Sequence, residues 1–237
     1  SHTNVAADEI RDEILKLPEV KEKGLTKKSF KYKIGTIHSY CKSKALSRDV
    51  FSYEDHINLC RKESEFKLQR ISASDFESNQ HKFYKYLSDA FGRGMTLEEH
   101  WKTCNRNSYK PYSLNVIKEM QGKYEKYKKD NHVCDFDDMI KDFIDKAKEP
   151  DIDALIVDEA QDSNIPQTKA LDKMATNTKE YWFVGDPDQT IFEFAGASAE
   201  TFYKLSKGAK EIEQGHRCGQ TINNLCKQII KPIWDHY

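Results

Sequence analysis

Apolar side chains at helical spacing dominate the front and middle of the chain. Residues 5–17 and 114–127 each place apolar residues on one helical face, and Pro18 predicts the end of the first helix. Residues 135–148 predict another helix, which the aspartate at its start is placed to cap. Its predicted inner face consists of Phe136, Met139, Ile140, Phe143 and Ile144. From about 48 to 133 the pattern is helical, basic and aromatic, so we predict a mostly helical segment there.

Two short continuous apolar runs distinguish the back third of the chain. Residues 154–157 predict a strand that is buried on both faces, and residues 181–184 predict a second strand. The stretch between them, 163–176, predicts a helix with Pro166 in its first turn. Strand, helix and strand in this order form a parallel βαβ unit, so the predicted fold class is α/β. A further short strand is predicted at 32–37.

Composition excludes several classes of protein. Of 237 residues, 38% are hydrophobic, 32% charged and 11% aromatic, which indicates a folded chain rather than a disordered one. No apolar run approaches the ~20 residues that span a bilayer, and no secretory signal is visible at the start. The six cysteines form no CxxC pair, which argues against a zinc site and against a disulfide framework. A reducing compartment, the cytoplasm or the nucleus, is therefore the expected location.

Charge is divided unevenly along the chain. Residues 21–50 carry nine Lys/Arg and two acids, whereas residues 131–213 carry nine Lys/Arg and nineteen acids. A basic front and an acidic back indicate a polyanion contact and a place where cations sit. Solvated helix faces explain each run equally well, so the charge pattern leaves both interpretations open.

Acidic side chains directly follow the first predicted strand, in the sequence ALIVDEAQD at 154–162. Ligands of a parallel sheet bind outside the carboxyl ends of its strands, where Asp158 and Glu159 are predicted to lie. An aspartate at this position can hold Mg²⁺ while the Mg²⁺ bridges phosphate oxygens. The neighbouring glutamate can polarise an attacking water molecule. This arrangement is typical of a site that hydrolyses a nucleotide, but many strand ends carry acidic residues, so the pattern alone leaves an ordinary strand end open.

The second predicted strand ends in GDPDQ at 185–189, where glycine and proline fit a tight turn. Gln189 is placed to hydrogen-bond a γ-phosphate and so to respond to its presence. Phe192 and Phe194 follow, and aromatic side chains beside a phosphate site can stack on nucleic-acid bases. Packing in the core is the alternative role for both.

Taken together, these motifs resemble those of the UvrD/Rep family of superfamily 1 DNA helicases. DEAQD, VGDPDQTIFEFAGA and the His-Arg pair at 216–217 resemble motifs II, III and IV of that family. SHTNVAADEIRDEI at 1–14 and TIHSYC at 36–41 resemble motifs Ia and Ib, and DFDDMI at 135–140 is similar to the segment before motif II. The matches occur in the family's order over nearly the whole chain. They imply a partial RecA-like P-loop NTPase domain with a parallel sheet and a mainly helical inserted subdomain.

The resemblance implies a motor that couples Mg-ATP hydrolysis to translocation on single-stranded DNA and to duplex unwinding. ATP and Mg²⁺ are the implied cofactors, with Asp158 as the metal ligand and Glu159 as the catalytic base. Gln189 would contact the γ-phosphate and the attacking water, and Arg217 would reach the γ-phosphate from a second motor domain. Residues 161–162 would join the network that links the nucleotide to motif III.

Single-stranded DNA and duplex junctions are the implied partners. Phe194 stands where the family usually has a base-stacking Trp, and His2 stands where it often has another aromatic residue. Ala195 replaces an arginine that the family often carries after motif III. The residues implied to contact DNA are His2, Thr3, Asn4, Thr36, His38, Ser39, Phe192 and Phe194.

The implied domain order is motor domain 1A, an insertion called 1B, the rest of 1A, and the start of domain 2A. The corresponding ranges are 1–47, 48–133, 134–213 and 214–237. The family's GxxxxGK[ST] loop, which cradles phosphates with backbone N–H groups, does not occur in this sequence. We therefore expect the chain to be a fragment that lacks meaningful ATP affinity and activity by itself, and we expect an unpaired, apolar sheet edge.

Two other functions remain open at this point. A degenerate helicase-like module would bind nucleic acid or a protein partner without ATPase activity. A metal-dependent nuclease would use Asp135, Asp137 and Asp138 together with Asp158.

Overall fold

The structure is a computed structural model of the 237-residue chain. It describes residues 4–30, 34–45, 48–193, 196–199, 202–203, 206–212 and 218–234.

Three helices form the front of the described chain: α1 (Asn4–Ile14), α2 (Pro18–Glu22) and α3 (Ile37–Ala45). Pro18 occupies the first turn of α2, where its fixed φ angle is tolerated, and α1 ends before it. The strand predicted at 32–37 is wrong for residues 34–37. The Thr36 hydroxyl oxygen accepts a hydrogen bond of 3.2 Å from the backbone N–H of Ser39. This bond caps α3, so helix capping replaces the predicted strand.

A helical insertion follows, and two short parallel strands close its base. Its elements are β1 (Asp49–Val50), α4 (Tyr53–Lys62), α5 (Ala73–Glu77), α6 (Lys82–Gly92), α7 (Leu97–Thr103), α8 (Leu114–Asp130) and β2 (Val133–Cys134). Asp49 pairs with Val133 and Val50 pairs with Cys134. The apolar stripe predicted on α8 is confirmed, since Ile117 and other α8 residues pack into an aromatic core of this bundle.

The back of the chain contains α9 (Phe136–Lys146), β3 (Ala154–Val157), α10 (Ile165–Ala175), β4 (Glu180–Phe183) and α11 (Gln220–Trp234). Strands β3 and β4 pair in parallel, so the predicted βαβ unit is confirmed. Asn164 caps α10, its side chain accepting from the backbone N–H of Gln167. None of the helices in the described ranges is long and apolar enough to cross a membrane.

Helices α3, α9 and α10 cover one face of the β3–β4 pair. Cys41, Phe143 and Leu171 are buried there, together with Val157 at the end of β3. The prediction that β3 is buried on both faces is wrong, because Ile156 is 69% exposed and its cross-strand partner Trp182 is 58% exposed. In the part of the chain that the structure describes, the helices pack against the opposite face only.

The predicted inner face of α9 needs one correction. Met139, Ile140 and Phe143 are buried as predicted, but Phe136 is 60% exposed. Phe136 lies in the first turn of α9, directly after the N-cap Asp135. Its ring contacts the edge of His38 on α3, but α3 does not bury it.

Candidate nucleotide and nucleic-acid sites

The carboxyl ends of β3 and β4 lie side by side because the strands are parallel and in register. Val184 N donates to Val157 O at 2.8 Å, and Ala160 N donates to Val184 O at 2.9 Å. These bonds continue the pairing beyond the strands. The acidic pair 158–159 and the loop 185–189 therefore share one edge of the sheet, as the sequence predicted.

A chain of hydrogen bonds connects the two strand ends. Gln161 Nε2 donates to Glu159 Oε2 at 2.7 Å, and Gln161 Oε1 accepts from the backbone N–H of Asp186 at 3.2 Å. Gln189 Nε2 donates to Asp186 Oδ2 at 2.6 Å. Gln161 is 1% exposed, so both ends of its buried amide are satisfied by these two partners. The predicted catalytic glutamate and the predicted phosphate-sensing glutamine thus belong to one network.

Gly185 provides the space for this network. A Cβ atom at position 185 would lie 2.3 Å from Gln161 Oε1 and 3.0 Å from Phe202 Cζ. Real Cβ atoms do not approach other atoms so closely, so a side chain here would displace the Gln161 amide. The sequence indicated a tight turn as the reason for this glycine, whereas the structure shows close packing against Gln161.

The backbone of Glu159 adopts the left-handed conformation, with φ 52° and ψ 43°. For a residue with a side chain this conformation costs roughly 1–2 kcal/mol, and such residues cluster at functional sites. It turns the chain immediately after β3, so that Ala160–Asp162 forms a short 3₁₀ helix that returns Gln161 toward the Glu159 carboxylate. Backbone strain is therefore located at the predicted catalytic residue.

Asp158 has the chemistry of a Mg²⁺ ligand, because carboxylate oxygens are hard donors. It is partly exposed and makes no hydrogen bond or ion pair with the residues that the structure describes. Within the same residues, no group of three or more His, Cys, Asp or Glu side chains could hold a metal ion. Its partial exposure directly after β3 leaves the Asp158 carboxylate accessible, so it fits a Mg²⁺ ligand whose other positions would be filled by water and phosphate oxygens.

Asp162 connects the same strand end to the segment after Gln189. Burial raises the pKa of the Asp162 carboxyl, while a hydrogen bond from the Ile191 backbone opposes that shift. Its Oδ1 atom is buried without a hydrogen-bond partner in the described structure. This residue thus packs against the chain just before Phe192.

The predicted DNA contacts on α3 are partly used by the helix itself. Ser39 Oγ donates to Thr36 O at 2.9 Å, in addition to the capping bond between these residues. His38 lies edge-to-face against Phe136, with ring centroids 5.6 Å apart. Phe192 is 37% exposed, so its ring remains partly accessible. The structure adds one residue that the sequence missed, the exposed Phe136 beside His38. Helical spacing gave no signal for it, because the spacing placed Phe136 in the core.

The two groups of predicted residues are connected through the protein core. Ile37, which precedes His38, belongs to the same buried cluster as Ala160, which follows Glu159. Several other predicted site residues lie outside the described residues: His2, Thr3, Phe194 and Arg217, with Ala195 and the side chain of Asn4.

The acidic start of α9 has a structural role that argues against a nuclease site. Lys128 is 2% exposed, and its Nζ atom lies 2.7 Å from Asp135 Oδ2 and 2.9 Å from Asp138 Oδ2. Burial lowers the pKa of Lys128, but the two carboxylates outweigh it and raise the pKa above its usual value. Asp137 accepts from Ser88 Oγ at 2.9 Å, and burial raises its pKa. This buried lysine forms ion pairs with both Asp135 and Asp138, and these pairs join α8 of the insertion to α9.

Comparison with known proteins agrees with the motifs. The model of the UvrD/REP helicase N-terminal domain matches residues 1–210. The chain is 24% identical to a probable DNA helicase II homolog of Mycoplasma capricolum, over 97% of this chain and 33% of that protein. It is 26% identical to the corresponding homolog of Mycoplasma genitalium, over 98% of this chain and 35% of that protein.

A shorter match covers an ATP-dependent DNA helicase, PcrA, of Staphylococcus aureus. It is 28% identical over 51% of this chain and 18% of that protein. The chain thus spans about a third of the length of the two mycoplasma relatives and less of the staphylococcal one.

Proposed function

Since this chain belongs to the UvrD/REP helicase family through the N-terminal domain of that family, we propose that it forms part of an ATP-dependent DNA helicase. The complete motor couples Mg-ATP hydrolysis to translocation on single-stranded DNA and to unwinding at duplex junctions. The 237 residues alone are inactive, because they contain no GxxxxGK[ST] loop to bind the phosphates.

The hydrogen-bond chain from Glu159 to Gln189 carries this proposal. An acidic residue at the end of a strand is common, and so is a glutamine in a turn. A buried amide that joins the two is specific, because a catalytic base and a phosphate sensor must respond to the same nucleotide. The three bonds through Gln161 and Asp186 provide that connection.

Glu159 would act as the catalytic base for the attacking water. Gln161 donates a hydrogen bond to the Oε2 atom of Glu159. The other carboxylate oxygen, Glu159 Oε1, can therefore accept a proton from water. Gln189 is exposed at the neighbouring strand end, where its amide can hydrogen-bond the γ-phosphate and the water. Gln189 would orient the water and Glu159 would accept its proton. We assign Arg217 to the γ-phosphate, which it would reach from the second motor domain.

Asp158 would hold the Mg²⁺ ion. When bound, ATP would supply the phosphorus that is attacked, and the Mg²⁺ ion would neutralise negative charge on the phosphate oxygens. The protein's contribution at this position is a partly exposed carboxylate fixed at the end of β3, one residue after the buried Val157.

A second face of the domain would bind single-stranded DNA. Thr36 and Ser39 can reach phosphates, and the rings of His38, Phe136 and Phe192 can stack on or pack against bases. The basic stretch 21–50 supplies the sequence-independent attraction to the backbone. His2, Thr3, Asn4 and Phe194 complete the proposed set by their motifs. The order of the motifs also supports the proposed domain bounds, which are 1–47, 48–133, 134–213 and 214–237.

ATP turnover by the full-length gene product tests the proposal. Turnover should rise when single-stranded DNA is added and should require Mg²⁺. If the protein binds single-stranded DNA but does not hydrolyse ATP, the second candidate is correct. That candidate is a helicase-like module that binds nucleic acid or a protein partner without ATPase activity.

A further inference from the structure

A turn after β4 packs against the end of helix α6 in the insertion. Gly196 N donates to Glu193 O at 3.1 Å, and Ala197 N donates to Phe192 O at 3.2 Å. We call these four residues the post-strand turn. Ala197 also forms an antiparallel bridge with Asn164, the N-cap residue of α10. The post-strand turn is therefore held between the insertion and the motor helix α10.

The contact with α6 is made by backbone on backbone. A Cβ atom on Gly196 would lie 2.4 Å from both the carbonyl carbon and the carbonyl oxygen of Gly92. It would also lie 2.9 Å from the backbone nitrogen of Arg93. In addition, Gly196 has φ +96°, which side chains rarely allow. No side chain separates the two segments, so no flexible group can absorb a displacement of either one.

The end of α6 is itself rigidly closed. Met95 N donates to Ala90 O at 2.9 Å and Gly94 N donates to Phe91 O at 2.8 Å, the pair of bonds that defines a Schellman motif. Arg93 is the C-cap residue of α6, and its side chain reaches the post-strand turn. There its Nη2 atom donates to Glu193 O at 3.0 Å.

The body of α6 belongs to the core of the insertion. Phe83 and Tyr86 are fully buried, and the Tyr86 hydroxyl donates to Leu97 O at 2.6 Å. Densely packed interiors transmit displacements because they do not deform gradually. A shift at the end of α6 therefore shifts the helical bundle with it.

We infer, on the basis of the function proposed above, that this contact transmits the nucleotide state of the strand ends to the helical insertion. Gln189 lies only four residues before Glu193, whose carbonyl oxygen accepts the Arg93 hydrogen bond. Gly196, three residues after Glu193, contacts the backbone of Gly92. Arg93, Gly92 and Gly196 are positioning residues, since they act through the insertion and not on the nucleotide.

Amide hydrogen exchange of the full-length gene product, with and without Mg-AMP-PNP, tests this inference. Peptides covering 186–193 report the strand ends, and peptides covering 88–97 report the end of α6. The variants are Arg93→Ala, which removes the hydrogen bond to Glu193 O, and Gly196→Ala, which forces the two backbones apart. Arg93→Ala keeps the test valid if Gly196→Ala does not fold.

Two matched controls leave the contact intact. Arg106→Ala removes a guanidinium that also donates to a backbone carbonyl, that of Trp101 at 3.2 Å, but within the insertion. Gly122→Ala adds a methyl group on α8, where nothing lies within 4 Å.

The expected result is a change of exchange in both peptides of the unchanged protein and of the controls. In Arg93→Ala and Gly196→Ala, the change at 186–193 should persist while the change at 88–97 is lost. If both variants keep both changes, or if the unchanged protein responds at 186–193 alone, the inference is wrong and the proposed function stands. If nucleotide alters neither peptide in the unchanged protein, the proposed function fails and the inference fails with it.

Discussion

Gln161 donates a 2.7 Å hydrogen bond to the carboxylate of Glu159 although only one residue separates them in the sequence. The left-handed backbone of Glu159 makes this possible, because it reverses the chain directly after β3. The same amide accepts from Asp186 N on the neighbouring strand end, so one buried side chain determines the positions of both loops.

Replacing Glu159 with glutamine should abolish ATP turnover without preventing nucleotide binding. The amide keeps the size of the carboxylate but cannot accept a proton from water, and general-base catalysis contributes ~10²–10⁴-fold. Steady-state turnover of the full-length gene product and equilibrium binding of a fluorescent ATP analogue measure the two effects. Glu149→Gln, on the exposed loop before β3, is the control. Turnover at the normal rate in Glu159→Gln would show that this assignment is wrong.

Gly185→Ala should lower turnover through Gln161. The new Cβ atom would displace the Gln161 amide and break a hydrogen bond to a charged group, worth ~1.5–3 kcal/mol, or about 10–100-fold in rate. Because both changes disrupt one bond, Gly185→Ala combined with Gln161→Ala should be little worse than Gln161→Ala alone.

The control for this cycle is Gln80→Ala, an exposed glutamine in the insertion. Combined with Gly185→Ala, it should give additive effects on kcat. Additive losses in Gly185→Ala with Gln161→Ala would instead contradict the steric account of Gly185.

Lys128→Met should destabilise the fold strongly. The substitution leaves the carboxylates of Asp135 and Asp138 without their buried cation, and breaking a buried ion pair costs ~3–5 kcal/mol. Urea unfolding of the 237-residue chain, followed by circular dichroism, measures this loss. Lys129→Met, next along α8 but exposed, should change the free energy of unfolding little. Equal losses in the two variants would rule out a special role for the buried cluster.

Stability should fall below about pH 6.5 in part because of buried histidines in the insertion. Burial lowers the pKa of His56 to about 4 and that of His81 to about 3. Their folded pKa values lie below the unfolded value of ~6.5, so their contribution is complete above that pH and is lost as pH falls toward the folded values. Asp137 acts in the opposite sense, because its pKa is raised by burial.

A difference measurement separates these contributions. His81→Gln retains an amide that can reach Tyr112, the partner of His81 Nε2 at 3.4 Å, but it cannot titrate. Urea midpoints between pH 7 and pH 5 should fall less steeply for His81→Gln than for the unchanged chain. His132→Asn, at an exposed position with φ 54°, should retain the original slope. Parallel slopes for all three proteins would exclude His81 as a source of the pH dependence.

The sequence predicted the β3–α10–β4 unit because each part has a local signal. Apolar runs of strand length flank a helix that has a proline, Pro166, in its first turn, and both features are local. The acidic residues at the end of β3 followed from the rule for parallel sheets. These predictions required no knowledge of long-range contacts.

Long-range packing explains what the sequence did not reveal. Helical spacing places Phe136 with Ile140, but only the position of α3 determines that the Phe136 ring stays exposed beside His38. The apolar run of β3 predicts burial on both faces of the strand, yet the face that carries Ile156 is not covered by any of the described helices. The close packing of Gly185 against Gln161 arises where two loops meet. A local sequence pattern carries no information about that contact.

The parallel pairing of β1 with β2 has a consequence for the architecture of the chain. Adjacent strands lie about 4.8 Å apart, so the polypeptide enters the helical insertion at Asp49 and leaves it at Val133 at almost the same point in space. The 82 residues between the two strands thus form an insertion that begins and ends at one pair of hydrogen-bonded strands. Its length and content can vary at positions away from Lys128 and the end of α6 without rerouting the chain that carries Asp158 and Glu159.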